Sequence, residues 1–160
     1  MSTPVCIMLG GNLGDSPAIF REALAYISQN SGLRITAQSR IRYSRAVDCV
    51  PGTPDFADMA VTLEYSGTAQ ELLAILQETE RHFGRPAVHR SDESRTLDCD
   101  IILFGTQCIS ASDLQIPHPR ASRRQFVLEA MNDIAGNWIF PDSGKSVREL
   151  WNLLKLQQNQ

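Results

Sequence analysis

The sequence predicts an α+β fold, an antiparallel sheet with two helices packed on one face and a helical C-terminal extension. Three observations carry that expectation. Four segments read as strands and two as amphipathic helices, in the order β-α-β-β-α-β. The length, 160 residues, suits one domain of the commonest size. The composition, 42% hydrophobic and 21% charged, is that of a globular chain able to bury one core. This order of elements is the ferredoxin-like arrangement, which leaves the second face of the sheet free for a site. The fold hosts many functions, so function must be sought in particular residues.

Each element has its own signal. "PVCIMLGG" is a short apolar run ending in glycines, a buried strand. In "SPAIFREALAYISQ" Ile19, Ala23, Leu24 and Ile27 recur at helical spacing, with Ser16 as N-cap and Pro17 at the first helical position. "GLRITAQSRIRYSRAV" alternates through Leu33, Ile35 and Ala37, then shifts phase to Ile41 and Tyr43, which predicts one strand with a bulge. "VDCVPGTPD" carries turn chemistry, and "FADMAVTLEYS" alternates as a strand. "TAQELLAILQETERHFG" is the clearest helix: Thr68 caps it, Glu71 completes a capping box and Gly84 ends it. "RPAVHRSDES" is a polar loop, and "RTLDCDIILFG" is the fourth strand. Two further helices are expected, around residues 121–134 and 146–156, and the tail "QQNQ" should fray.

Composition excludes several classes. No apolar run approaches the ~20 residues of a membrane span. The start "MSTPVCIMLGG" lacks the basic n-region of a signal peptide, so a cytoplasmic protein is expected. Cys6, Cys49, Cys99 and Cys108 are scattered, which suggests neither a zinc site nor a disulfide framework; they read as reduced, mostly packed thiols. A net charge of −3 argues against nucleic-acid binding. Of the 15 Lys+Arg residues, all but Lys145 and Lys155 are arginine. Arg81, Arg85, Arg90 and Arg95 form one cluster, and Arg120, Arg123 and Arg124 another. Arginine's planar fork suits phosphate, although either cluster also fits a solvated basic surface.

Two aspartates stand out. Asp98 and Asp100 lie inside the apolar run Leu97, Ile101, Ile102, Leu103 and Phe104. Residues two apart on a strand share a face, so the carboxylates project together while Leu97, Cys99 and Ile101 point into the core. Side by side they repel unless a cation or proton lies between them. Hard oxygen donors favour Mg²⁺, completed by water and substrate phosphate. A structural ion network with nearby arginines is the alternative. The flanking arginines weigh towards the metal, since carboxylates for Mg²⁺ with arginine for oxygen charge is the equipment of phosphoryl transfer. The opening "LGGNLGD" fits neither common nucleotide-binding fingerprint. Its Gly10, Gly11 and Gly14 allow close approach of a ligand, and equally a plain turn into the first helix.

"LGGNLGD", "RTLDCDIILFG" and "IPHPRASRRQFVLEAMNDIAG", in that order, resemble the three signature segments of the 6-hydroxymethyl-7,8-dihydropterin pyrophosphokinases of the folate pathway. The resemblance covers nearly the whole chain and implies one domain over residues 1–160. It implies transfer of the β,γ-pyrophosphoryl group of ATP to the pterin hydroxymethyl group, with release of AMP and two Mg²⁺. Asp98 and Asp100 match the metal-holding pair. Arg85 and Arg95 match mobile-loop arginines that serve the transferred group. His118 and Arg124 match phosphate contacts, and Gln77, Glu80 and Ile101 match the nucleotide side. Phe56 and Phe126 match aromatics that sandwich the pterin, with Asp58 at a pterin-binding position. Arg120 and Arg123 are left as surface charges. ATP and 6-hydroxymethyl-dihydropterin are the implied partners, with no nucleic acid or membrane, and a monomer is expected.

The chain departs from the family pattern at several places. Asp92, Glu93 and Ser94 stand where Trp-Gly-Pro is usual, which removes a closing aromatic and adds negative charge near the phosphates. That predicts a lid over residues 84–94 that closes less readily, hence slow turnover with ordinary ATP affinity. Asp58 replaces an asparagine and can accept but not donate. Cys99 replaces an aliphatic residue, "GGN" replaces "GSN", and Asp113 stands where a basic residue is common. A divergent paralogue that binds pterin or nucleotide without efficient transfer is the alternative function.

Overall fold

Residues 5–9 are apolar without alternation, and all five are buried. They form the middle of β1 (Thr3–Gly11), and a strand that buries every residue must be covered on both faces. A computed structural model, which describes residues 1–45, 51–84 and 96–158, shows what covers them. After β1 come α1 (Ser16–Ile27), β2 (Leu33–Gln38), β3 (Arg42–Ser44), β4 (Phe56–Tyr65), α2 (Ala69–His82) and β5 (Asp98–Phe104). The remainder is a short hairpin of β6 (Ile109–Ser110) and β7 (Gln115–Ile116), a 3₁₀ turn at Ala121–Arg123, α3 (Gln125–Ala135), a second hairpin of β8 (Ile139–Phe140) and β9 (Lys145–Ser146), and α4 (Val147–Gln158). Among the described residues no helix is long and apolar enough to cross a membrane.

The main sheet has the order β2-β4-β1-β5, with β3 also on β4, and every pairing is antiparallel. This is an α+β architecture, as expected. The helices differ from the expectation in one respect. Val5, Ile7 and Leu9 pack under α1 and α2 with Phe20, Leu24, Ile27, Leu72 and Leu76. Cys6 and Met8 face the other way and join Ala60, Ile102 and Leu103 beneath Val127, Leu128 and Met131 of α3 and Val147 of α4. The C-terminal helices are therefore a second covering layer over the middle of that face, and Asp98 and Asp100, at its Gly10 end, stay half-buried. Burial of this kind contributes ~1.5–3 kcal/mol for each large apolar side chain.

Local chemistry accounts for the element ends. The N-cap of α1 is Asp15 instead of Ser16: its Oδ1 accepts from the Ala18 N–H at 3.2 Å. A carboxylate satisfies a free amide and also meets the positive end of the helix dipole, which a serine hydroxyl does less well. The capping box of α2 forms as expected, with Thr68 Oγ1 accepting from the Glu71 N–H and Glu71 Oε1 from the Thr68 N–H. Gly84, just past α2, has φ +98°, a conformation that favours glycine. The third segment is two strands, not one bulged strand. After a register shift between Ile35 and Ala37, β2 ends at Gln38; Ser39 then exchanges hydrogen bonds with Ala60, its N–H to the carbonyl and its Oγ from the amide. The chain re-enters the ladder as β3 further along β4.

Of the three described cysteines, Cys6 and Cys99 are buried and Cys108 is exposed. Cys49 lies outside the described residues. Burial pushes the Cys6 thiol up to about 12, which keeps it protonated and unreactive. Titration of the native protein with a thiol reagent is expected to lose one fast-reacting group in Cys108→Ser and none in Cys6→Ser. A fast-reacting Cys6 would mean that the α3–α4 layer opens readily.

Candidate active site

One row of register partners sets the open end of the sheet. Gly10 of β1 stands opposite Asp58 of β4 on one side and Asp98 of β5 on the other, and Asp58 stands opposite Arg42 of β3. Side chains in one row share a face, and this row faces the α3 side. Asp100 follows one pleat along β5, opposite Met8. With strands ~4.8 Å apart, the backbones of Asp58 and Asp98 lie about 10 Å from each other. Gly10 keeps the space between them clear: a Cβ there would stand 3.0 Å from Asp58 Oδ1.

Asp98 and Asp100 are both half-buried, while Cys99 and Ile101 between and beyond them turn into the α1–α2 core. The expectation of two carboxylates on one face therefore holds. β5 is the end strand of the sheet, and α2 secures it. Glu80 Oε2 accepts from the Cys99 N–H at 2.7 Å, a charge-assisted bond at the residue between the aspartates.

The segment after β7 brings in the imidazole. The His118 N–H donates to the Ile102 carbonyl at 3.1 Å, which lays this turn beside β5. His118 Nδ1 accepts from the Arg120 N–H at 3.3 Å, so the neutral ring carries its proton on Nε2. Burial holds its pKa below the ordinary histidine value; the charges of Arg124 and Arg120 push the same way and Asp98 opposes them. The ring is thus a neutral donor near pH 7, within the field of Asp98. Arg124 precedes α3, with its guanidinium carbon 5.8 Å from the centre of the Phe126 ring.

A cavity of about 300 Å³ opens between β3, β4 and the start of α3, lined by Arg42, Tyr43, Ser44, Asp58, Gln125, Phe126 and Glu129. That is the lower end of the size range of small-molecule sites, and it combines an aromatic ring with a few polar groups, as such sites do. Arg42 is spent on α3: its Nη1 and Nη2 donate to the two carboxylate oxygens of Asp133, each at 2.8 Å, and its Nε lies 3.4 Å from Glu129 Oε1. Its hydrogen bonds hold the Asp133 carboxyl below the usual carboxylate range.

The sequence-derived candidates divide as follows. Asp58, Asp98, Asp100, His118, Arg124 and Phe126 lie on or beside the open face. Phe56 is half-buried one pleat from Asp58, opposite Ser44, but does not line the cavity. Glu80 reaches the site through the Cys99 amide, and Gln77 is exposed one turn earlier on α2. Ile101 is 3% exposed and packs in the α1–α2 core, away from the aspartates. Arg85 and Arg95, and with them the departure at Asp92, Glu93 and Ser94, lie outside the described residues. Sequence reasoning missed Arg42, Glu129 and Asp133. It also missed Asn12, which is buried and donates from Nδ2 to the Pro54 carbonyl at 3.2 Å, tying the end of β1 to the segment before β4. Asn12 had a signal in its place directly after the glycine pair; the α3 acids had none.

For a cation, the donor set is two hard oxygens from one strand. Among the described residues no three metal-ligating side chains form a protein-only cage. A pair of carboxylates fits Mg²⁺, which takes one or two from protein and its remaining ligands from water and phosphate.

Comparison with known proteins assigns this antiparallel α+β scaffold to a class, the pterin pyrophosphokinases. The family profile described as 7,8-dihydro-6-hydroxymethylpterin-pyrophosphokinase matches residues 6–136. A 2-amino-4-hydroxy-6-hydroxymethyldihydropteridine pyrophosphokinase of Synechocystis is 36% identical over 142 residues, 89% of this chain and 71% of that one. The protein of the same name from Bacillus subtilis is 34% identical over 134 residues, 84% of this chain and 79% of that one. Among solved structures, a Plasmodium falciparum HPPK-DHPS chain crystallised with pteroate superposes with a TM-score of 0.74 at 12% identity, a likeness of fold. It is matched over all of this chain and 46% of its own, so the present chain spans about half its length. The chain belongs to the 7,8-dihydro-6-hydroxymethylpterin-pyrophosphokinase family.

Proposed function

We propose that this chain transfers the β,γ-pyrophosphoryl group of ATP to the hydroxymethyl group of 6-hydroxymethyl-7,8-dihydropterin, in folate biosynthesis. The hydroxymethyl oxygen gives up its proton to solvent and bonds to the β-phosphorus, the bond from that phosphorus to the bridging oxygen of the α-phosphate breaks, and AMP leaves with that oxygen. The observation that carries this reading is the row Asp58–Gly10–Asp98, which sets a cavity with an aromatic wall about 10 Å, at the backbone, from a pair of carboxylates. Asp98 and Asp100 would hold Mg²⁺, whose charge would offset that of the phosphate oxygens. His118, neutral, donates from Nε2 to a phosphate oxygen, and Arg124 adds positive charge beside it. Asp58 accepts from the amino and ring N–H groups of the pterin, and Phe126 stacks on its ring. Phe56 contributes from the floor of the same face. Glu80 acts through the Cys99 amide by holding β5, and Gln77 stands on the nucleotide side. Arg85 and Arg95 serve the transferred group from the segment between α2 and β5. The strand order β2-β4-β1-β5 supports reading the sheet as ferredoxin-like.

The deciding assay is AMP released from ATP with and without 6-hydroxymethyl-7,8-dihydropterin, at saturating Mg²⁺. Strictly pterin-dependent AMP is expected. If pterin binds and no AMP appears, the divergent, non-transferring paralogue is the correct description. If AMP forms equally without pterin, the acceptor is misassigned.

A further inference from the structure

We propose that Arg42 is a positioning residue that sets the Phe126 ring across the cavity from Asp58. Arg42 is the register partner of Asp58, so both side chains leave the sheet on the same face. The guanidinium nevertheless reaches past Asp58 to α3, where it takes both oxygens of Asp133 and approaches Glu129. Phe126, Glu129 and Asp133 follow one another at i, i+3 and i+7, which places them on one stripe of that helix. Arg42 therefore grips the stripe that carries the ring. The grip is stiff: a planar fork on a carboxylate fixes direction as well as distance, and the Arg42 side chain is only 14% exposed. It also crosses the cavity, whose wall includes Arg42, Asp58, Phe126 and Glu129. β3 is three residues long and is paired only to β4, so the clamp, beside the Arg40 backbone N–H that also bonds Asp133, ties this short strand to α3. Without Arg42, Asp133 would keep the Arg40 backbone N–H and the Arg40 charge, but neither grips Glu129, and the bidentate hold on the stripe that carries Phe126 would be lost.

The inference rests on the pterin reading of the cavity, and the test separates the two. Arg42→Met, Arg42→Lys and Asp133→Asn are compared with wild type by calorimetric titration with pterin and, separately, with a non-hydrolysable ATP analogue. Arg42→Met is expected to weaken pterin binding roughly tenfold, about 1.4 kcal/mol, while the analogue changes less than twofold. Arg42→Lys should recover part of the loss, because an ammonium holds one oxygen at a time and lacks the fork. Asp133→Asn should fall between wild type and Arg42→Met. A fluorinated phenylalanine placed at position 126 reads the ring without any ligand, and its ¹⁹F resonance should shift or broaden in Arg42→Met. Equal losses for both ligands would mean that Arg42 is merely structural and would overturn the proposal, as would an unchanged ¹⁹F signal. A wild-type protein that takes up no pterin would overturn the functional reading, with the clamp still decided by the fluorine signal.

Discussion

Asp98→Asn or Asp100→Asn is expected to lower Mg²⁺-dependent transfer on the order of a hundredfold or more while leaving the melting temperature at or above that of wild type. The two effects have one cause. The carboxylates share a face of β5 and repel, so neutralising either relieves the apo protein. The ladder with β1, Gly10 to Asp98 and Met8 to Asp100, is backbone and survives the change. Catalysis loses, because charge placed against the reacting oxygens in a partly dry site contributes several kcal/mol, and removal of one such group commonly lowers turnover 10²–10³-fold. Steady-state rates over a Mg²⁺ titration, beside thermal unfolding, read both effects. Turnover close to wild type at saturating Mg²⁺ would sink the metal assignment and leave the pair as part of a structural ion network.

Phe126→Ala should act on the other ligand. The ring lines the cavity, and its loss removes burial worth ~1.5–3 kcal/mol and stacking worth about 1 kcal/mol. Together these weaken pterin binding by roughly 70-fold to 10³-fold. The guanidinium of Arg124 lies over the same ring, so ATP binding is not wholly insulated. A cation–π contact at a partly exposed site contributes only ~0.5–1 kcal/mol, which limits that effect to a few-fold. Titration with pterin and with the ATP analogue should therefore separate by at least an order of magnitude. Phe56→Ala should have a smaller effect on pterin, since Phe56 stands beside the cavity instead of in its wall. Equal losses for the two ligands in Phe126→Ala would mean that the pterin pocket lies elsewhere.

Much of this arrangement was written locally in the chain. The capping box of Thr68 and Glu71, the same-face pair Asp98 and Asp100, and the four long strands each depend on residues within a few positions of one another, where periodicity and capping chemistry dominate. The error at the start of α1 was of the same local kind. Asp15 and Ser16 both qualify as caps, and the choice went to the carboxylate that also meets the helix dipole. The split into β2 and β3 was half visible as a phase shift. Whether a phase shift becomes a bulge or a break depends on the strand it pairs with, and here Ser39 satisfies Ala60 across the gap.

The α+β order of elements, the aspartate pair with its shared face and the likeness to the pyrophosphokinases were all legible along the chain, because each is a pattern of short range or of residue identity. The unbroken apolar run at residues 5–9 required cover on both faces of β1, but only tertiary structure decided that α3 and α4 supply it on the second face. It also decided which candidates meet. Gly10 lies between Asp58 and Asp98, which follow it by 48 and 88 positions in the chain, only because β4 and β5 flank β1. Arg42 reaches Asp133 across 91 positions of chain, and no local pattern specifies that bond: it exists because α3 folds back over the sheet, and its energy is gained only once the chain has closed on itself.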